Sequence, residues 1–178
     1  MASLLRSTAN GLTVARALVG LPLILAFQAG WSGLAWWLLL LAGLSDAADG
    51  WLARRAGGGS SWGARLDPLT DKVLIAAPLV WLASTGALPL WAIWLLLARE
   101  LLISGWRSQA KDGAPASLVG KAKTILQFVS LLLLLWPPLW IGHAVLVTVG
   151  WWLFWPSLLL AMTSAVDYLK PRSDSRPN

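Results

Sequence analysis

The sequence predicts an all-α integral membrane protein with six transmembrane helices and both termini in the cytoplasm. Three observations support this prediction. The 178-residue chain is 57% hydrophobic and only 12% charged, whereas soluble domains carry roughly 25% charged residues. Long apolar runs follow one another, and residues 73–98 contain no charged side chain. The basic residues cluster in alternate connections between these runs.

Six spans follow from the apolar runs, because a spanning helix needs about 20 mostly apolar residues. Gly or Pro punctuates the three short turns between spans, at 29–30, 85–88 and 138–142. The whole chain, 1–178, is predicted to form one membrane domain. Residues 1–10 fit either a short interfacial helix or a frayed terminus. The spans are predicted near Leu12–Gln28, Trp31–Trp51, Pro68–Ser84, Pro89–Gln109, Lys121–Pro137 and His143–Val166.

The charge distribution predicts the orientation. All 14 basic residues lie in or near the amino terminus, the loops after spans two and four, or the carboxyl-terminal tail. The three short turns carry no charge, so the positive-inside rule places both termini and both long loops in the cytoplasm. The net charge is +6, and the basic residues form no dense block in the sequence. This distribution therefore favours anionic lipid or a phosphorylated substrate over nucleic acid.

Trp residues near the predicted span ends suit the membrane interface. His143 lies in a turn on the opposite side from the acidic residues described next, and we expect it to be interfacial rather than catalytic.

Four carboxylates interrupt this apolar sequence at fixed spacings. Asp46 and Asp49 are three residues apart, and Asp67 and Asp71 are four apart. Both spacings place a pair on one helix face, and the hairpin of spans two and three would bring all four together at the cytoplasmic surface. Four bare carboxylates would repel one another. All-oxygen ligation favours a hard ion, so two Mg²⁺ or Mn²⁺ ions are the expected cofactors.

Small and basic residues accompany the aspartates. Gly50 and Gly63 allow a substrate to approach the backbone closely, and Ala53 leaves room on the same helix. Arg54 can bind a phosphate or a base with its fork of donors. A solvated loop whose acids pair with nearby arginines is the alternative, and it fits this helical spacing poorly.

The string Asp-x2-Asp-Gly-x2-Ala-Arg-x8-Gly-x3-Asp-x3-Asp resembles the defining pattern of the CDP-alcohol phosphatidyltransferases at every fixed position. The resemblance implies that the four aspartates bind two metal ions and that Asp71 takes a proton from the acceptor hydroxyl. It also implies a homodimer in the bacterial plasma membrane, with an active site facing the cytoplasm. The residues implied to hold the CDP moiety are Asp49, Gly50, Ala53, Arg54 and Gly63.

Two further segments resemble the phosphatidylglycerophosphate synthase branch of that family. In residues 10–16, Asn10 and Thr13 would lie near the nucleotide of the CDP-lipid, with an amino-terminal helix cap as the plain alternative. The second resemblance covers residues 98–107 and 120–127.

Basic residues in the second resemblance suggest where an acceptor phosphate would bind. Arg99 lies inside the fourth predicted span, where a charge is costly and usually marks a site or a pair. Arg107 lies about two turns further on a similar face. Together with Lys121 and Lys123, these residues would form a basic pocket for the phosphate of sn-glycerol 3-phosphate. For Arg107, Lys121 and Lys123 there is an equal alternative, in which these basic residues only mark their loop as cytoplasmic.

The leading hypothesis is therefore a transferase that uses CDP-diacylglycerol and sn-glycerol 3-phosphate, and releases CMP. An alternative within the family is another acceptor, such as inositol phosphate, serine or phosphatidylglycerol. Outside the family, the carboxylates could serve a divalent-cation transporter, although their position at one surface argues against a pore. A catalytically inactive scaffold is disfavoured because all four aspartates are present.

Overall fold

The computed structural model describes the backbone of residues 18–55, 63–109 and 118–169, and within them the side chains of 18–45, 70, 72–105 and 122–166. This part of the chain contains six helices and no strand, which confirms the all-α prediction for it. The helices are α1 (Leu18–Gln28), α2 (Ser32–Arg55), α3 (Gly63–Ser84), α4 (Leu90–Gln109), α5 (Leu118–Leu134) and α6 (His143–Leu169).

The short turns between helices form where glycine predicted them. Gly30 follows α1 with a positive φ of 79°, a left-handed conformation that glycine adopts without steric cost. The Trp31 N–H then donates to the Ala26 carbonyl at 2.8 Å. This is the Schellman arrangement that closes a helix end. The turn after α3 repeats it around Gly86, whose φ is 70°.

The helices are longer than the predicted spans at their charged ends. The helix α2 continues to Arg55 and α3 begins at Gly63, so the aspartate motif lies on regular helical backbone. Apolar composition marks the part of a helix that avoids water, whereas the helix itself continues into polar sequence. The helix α5 is shorter than predicted at its uncharged end. It stops at Leu134 rather than at the predicted Pro137, because the two prolines at 137 and 138 cannot continue a helix.

The core runs through all six helices. Each contributes a large side chain with no exposed surface: Leu23, Leu39, Leu79, Leu96, Leu131 and Phe154. The helices α5 and α6 pack most extensively against each other. Gly150 permits this, since a Cβ there would lie 2.7 Å from the Leu134 backbone nitrogen. The Ser130 hydroxyl donates to the Gly150 carbonyl at 2.8 Å and ties the two helices together.

The described surface is apolar, while several polar side chains are buried. Large hydrophobic residues are exposed on every helix, with Leu139 and Ile141 almost fully accessible in the turn between α5 and α6. The buried polar or charged residues are Thr70, Arg99, Lys123, Gln127, Ser130, Ser157 and Ser164. Exposed apolar patches of this extent mark contact with a membrane or another apolar partner.

By length and composition, one segment of the described residues, His143–Val166, is long and apolar enough to cross a membrane. Shorter apolar segments of 10–17 residues occur in four other helices, at Leu18–Gln28, Ser32–Ser45, Lys72–Ser84 and Ala122–Leu134.

The tryptophans follow the belt prediction only in part. Trp31 is exposed beside the turn after α1. Trp36 is buried instead and packs edge to face against Trp136 and Trp140, with ring centroids 5.2 Å apart in each pair. Its indole N–H donates to the Leu132 carbonyl at 2.8 Å. This cluster belongs to the packed core at the uncharged end of the bundle.

Candidate active site

The four motif aspartates lie on two consecutive helices. Asp46 and Asp49 are in the last three turns of α2, and Asp67 and Asp71 are in the first three turns of α3. Both pairs therefore have the helical backbone that their spacing requires. Their side chains lie outside the described residues, so the metal geometry stays a prediction. Among the described side chains, no group of three His, Cys, Asp or Glu residues could hold a metal ion.

The residues predicted to hold the CDP moiety surround the same helix ends. Gly50, Ala53 and Arg54 lie in the final turns of α2, and Gly63 is the first residue of α3. Asn10 and Thr13 fall outside the described residues, so their predicted role is unchanged. The structure thus places every member of the predicted CDP-lipid set whose backbone is described on α2 or α3.

A buried ionic cluster joins α4, α5 and α6. Its members are Arg99 on α4, which is 9% exposed, the adjacent Glu100, and Lys123 on α5, which is 5% exposed. A charge buried without a partner is strongly destabilising. Each of these three charges has a partner of opposite sign.

Arg99 connects α4 to α6 through two hydrogen bonds. Its Nε donates to the Ala161 carbonyl at 3.0 Å, and its Nη2 donates to the Ser164 hydroxyl oxygen at 2.7 Å. Ser164 in turn donates to the Ala161 carbonyl at 3.0 Å. Burial and these fixed bonds hold the guanidinium in one orientation.

Glu100 connects the two cations. Its Oε1 accepts from Arg99 Nη1 at 2.8 Å and also accepts from Lys123 Nζ. The sequence predicts that Glu100 pairs with a nearby group, although adjacent helix residues usually diverge. The long Arg99 side chain reaches back to its neighbour because Ala161 and Ser164 hold the rest of the guanidinium against α6.

The cluster carries an excess of positive charge and lies near the aspartate motif. Two cations face one carboxylate, and the charge of Lys72 on α3 also acts on both Glu100 and Lys123. Lys72 directly follows Asp71 in the chain. The start of α3 therefore connects the predicted metal site to the cationic cluster.

Of the four basic residues predicted to bind an acceptor phosphate, the described side chains bring two together, Arg99 and Lys123. Arg107 lies near the end of α4 and Lys121 near the start of α5, with side chains outside the described set. Ser164, which accepts a hydrogen bond from Arg99, was not predicted as a site residue. Its only signal in the sequence is a hydroxyl within an apolar run, which commonly satisfies its own helix backbone.

Gln127 was also missed as an individual residue. It lies on α5 one turn beyond Lys123 and is 2% exposed. Its Nε2 has no hydrogen-bond partner among the described residues. Leaving a buried amide donor unpaired costs about 1–3 kcal/mol. The sequence signal was an amide between Leu126 and Phe128, where an apolar residue would pack more favourably.

His143 lies far from these groups, as expected. It begins α6, roughly 27 Å along the helix axis from Ala161 at 1.5 Å per residue, and its Nδ1 lies 2.7 Å from the Trp136 carbonyl. This position fits a structural role at the uncharged end of the bundle.

Comparison with known proteins identifies the family. The sequence pattern of the CDP-alcohol phosphatidyltransferases matches residues 6–163, which include both aspartate pairs, the ionic cluster and Gln127. The chain belongs to this family. CDP-alcohol phosphatidyltransferases are membrane enzymes, and this chain carries the aspartate motif on two successive helices.

Several bacterial members of the family are similar over most of this chain. A Rickettsia felis protein named CDP-diacylglycerol–glycerol-3-phosphate 3-phosphatidyltransferase is 34% identical over 90% of this chain and 92% of its own length. A Salmonella typhimurium protein of the same name is 34% identical over 74% of each chain. A Mycobacterium tuberculosis protein named "Probable phosphatidylglycerophosphate synthase" is 35% identical over 76% of this chain, which spans 64% of that relative.

Proposed function

We propose that this CDP-alcohol phosphatidyltransferase transfers the phosphatidyl group of CDP-diacylglycerol to sn-glycerol 3-phosphate. The products are phosphatidylglycerophosphate and CMP. The observation that carries the proposal is the complete aspartate motif on two successive helices, with a buried cationic cluster on the neighbouring helices. The relatives named for this reaction support the choice of acceptor.

The donor side of the proposed site uses the aspartate motif. Asp46, Asp49, Asp67 and Asp71 provide carboxylate oxygens and no sulfur or imidazole ligand, a donor set that fits two Mg²⁺ or Mn²⁺ ions. When bound, such ions neutralise charge on the diphosphate and its leaving group. The residues proposed to hold the rest of the CDP-lipid are Asn10, Thr13, Asp49, Gly50, Ala53, Arg54 and Gly63.

The proposed reaction is a displacement at phosphorus. A hydroxyl oxygen of the acceptor forms a bond to the β-phosphorus of CDP-diacylglycerol. The bond from that phosphorus to the bridging oxygen breaks, and its electron pair leaves with CMP. Asp71 accepts the proton of the attacking hydroxyl, a role of general bases that is worth roughly 10²–10⁴-fold in rate.

The acceptor phosphate is proposed to bind at Arg99 and Lys123, with Arg107 and Lys121 nearby in sequence on the same helices. The cluster around Glu100 has two cations, Arg99 and Lys123, and one carboxylate, and this excess of positive charge suits the −1.5 to −2 charge of a phosphate monoester. Serine, which lacks a phosphate, would leave this charge unmatched. A phosphorylated acceptor is therefore favoured.

The membrane arrangement is part of the proposal. The six helices would span the bacterial plasma membrane with both termini in the cytoplasm, and the active site would face the cytoplasm, where a soluble acceptor is available. Exposed apolar residues on every described helix and the absence of charge from the short turns support it. The protein would act as a homodimer, as the family resemblance implies.

An acceptor panel tests the reaction. The purified protein in lipid nanodiscs would receive CDP-diacylglycerol, Mg²⁺ and one acceptor at a time, with CMP release as the measurement. We expect release with sn-glycerol 3-phosphate, and its loss when EDTA removes the metal. Release only with inositol phosphate, serine or phosphatidylglycerol would contradict the acceptor while preserving the class of reaction.

An Asp71→Asn variant is the matched control for that panel. It removes the proposed base and one metal ligand with almost no change in shape, so we expect CMP release to fall by at least about 10²-fold. Helix content and melting temperature should stay close to those of the unchanged protein. Undiminished turnover would refute the role of Asp71.

A further inference from the structure

The buried amide of Gln127 is a hydrogen-bonding group that the described protein leaves unused. The residue is 2% exposed, and its Nε2 has no partner among the described residues. Other buried polar side chains of the same region are satisfied: Ser130 donates to the Gly150 carbonyl, and Ser164 donates to the Ala161 carbonyl. Buried polar groups in native proteins are nearly always paired, so this amide is unusual.

Gln127 lies one turn beyond Lys123 on α5. It follows Lys123 by four residues on α5, so both occupy one side of that helix, about 6 Å apart along its axis. Lys123 reaches across to Glu100 on α4. A ligand with its phosphate at Arg99 and Lys123 and its carbon chain running along α5 would reach the level of Gln127.

Trp155 has the other unpaired buried nitrogen among the described side chains, and its surroundings are different. Its ring packs against Trp91, Trp151 and Phe154, with centroids 5.4–5.7 Å away. An aromatic cluster without a charged neighbour does not recognise a polar ligand. Gln127 is the one that lies beside the cations.

The chemistry of a primary amide selects the group that it would bind. Its NH₂ donates and its carbonyl accepts, so it can pair with an alcohol hydroxyl in both directions. It carries no charge, and it would add nothing to the binding of a phosphate that already faces cations. A hydroxyl on the carbon chain of the acceptor is the matching partner.

We propose that Gln127 binds the secondary hydroxyl of the glycerol phosphate acceptor and makes the enzyme select for it. The inference rests on the proposed function, because it takes the acceptor phosphate to lie at Arg99 and Lys123. Gln127 is then a specificity-determining residue. It forms hydrogen bonds with the hydroxyl on the carbon chain, while the cations bind the phosphate.

The test compares two acceptors that differ by one hydroxyl. Glycerol 3-phosphate and 3-hydroxypropyl phosphate both have a primary hydroxyl and a phosphate, and the second lacks the secondary hydroxyl. For the unchanged protein we expect kcat/KM from CMP release to be at least about tenfold higher with glycerol 3-phosphate. In Gln127→Met, which keeps the length and removes the amide, the two values should become nearly equal.

Two controls separate specificity from folding. Ser130→Ala removes a buried hydroxyl one turn further along α5 and should keep the preference for glycerol 3-phosphate. Gln127→Leu provides a second apolar replacement if the methionine variant is not monodisperse. Because the amide is unpaired without ligand, the melting temperature of the ligand-free Gln127 variants should not fall.

Several results would overturn the inference. Equal use of both acceptors by the unchanged protein would do so without any variant. A preference for glycerol 3-phosphate that persists in the Gln127 variants would do so as well. So would a change confined to the KM for CDP-diacylglycerol, because it would show that Gln127 contacts the ester groups of the lipid instead. In each case CMP release with glycerol 3-phosphate continues, whereas failure of the proposed function would abolish it.

Discussion

At the scale of single residues, Glu100 determines how the buried charges coexist. Arg99 and Lys123 would repel each other inside an apolar bundle, and the Glu100 carboxylate accepts a hydrogen bond from each. Arg99 has further bonds to α6, whereas among the described residues the ion pair of Lys123 is with Glu100. The Glu100 carboxylate therefore stabilises two buried cations, whereas the carboxylate of a single ion pair stabilises one.

A Glu100→Gln substitution should destabilise the protein strongly. The amide keeps the shape but leaves two buried cations without a counter-charge, and breaking a buried pair by removing one partner costs about 3–5 kcal/mol. Ser157→Ala is the matched control, because that buried hydroxyl bonds only within α6, to the Phe154 carbonyl. Thermal unfolding followed by tryptophan fluorescence measures both. Equal small losses would show that Glu100 is dispensable.

At the scale of elements, the sequence predicted the uncharged ends of the helices better than the charged ends. The turns at Gly30 and Gly86 were predicted because glycine there has a local, steric cause. The continuation of α2 to Arg55 was not, since a polar helix turn lacks the apolar signal that marked the spans. A different limit hid Ser164, because its partner Arg99 is 65 residues away in the chain.

The packing of α5 on α6 gives a test at this scale. Gly150→Ala places a Cβ about 2.7 Å from the Leu134 backbone nitrogen, where no flexible side chain can yield. We expect a loss of about 1–3 kcal/mol from overpacking, despite the better helix propensity of alanine. At Gly33 in α2 a Cβ would meet only the Trp140 ring, at 3.7 Å. Gly33→Ala should therefore be neutral or stabilising, and similar melting temperatures for both variants would contradict the close approach.

At the scale of the whole molecule, apolar residues face outward and charges lie inside or at one end. The all-α fold of the described residues, the helical backbone at the aspartate motif and the proximity of Arg99 to Lys123 could be predicted because composition, spacing and charge placement are local properties. Glu100 as a bridge and Gln127 as an unpaired amide could not, because both depend on which helices become neighbours. Contacts between helices far apart in sequence leave little trace in one chain.

The orientation can be tested because the protein contains no cysteine. Single cysteines at Thr85, in the exposed turn after α3, and at Ser173, in the carboxyl-terminal tail, would report the two sides. In intact cells a membrane-impermeant maleimide should label Thr85→Cys, and Ser173→Cys only after permeabilisation. The reverse pattern would invert the topology, and labelling of both from outside would exclude the three spans predicted between the two residues.

The cluster of Arg99, Glu100 and Lys123 also makes the last three helices interdependent during biogenesis. A chain made from its amino terminus delivers α4, with its arginine and glutamate, before Lys123 on α5 and Ser164 on α6 have been synthesised. A charged residue at the centre of an inserting helix costs about 2.5–3.5 kcal/mol. Only when α6 arrives are all these groups paired. A nascent chain truncated after α4 would therefore keep only the pair of Arg99 with Glu100 and would lack the further bonds from α5 and α6.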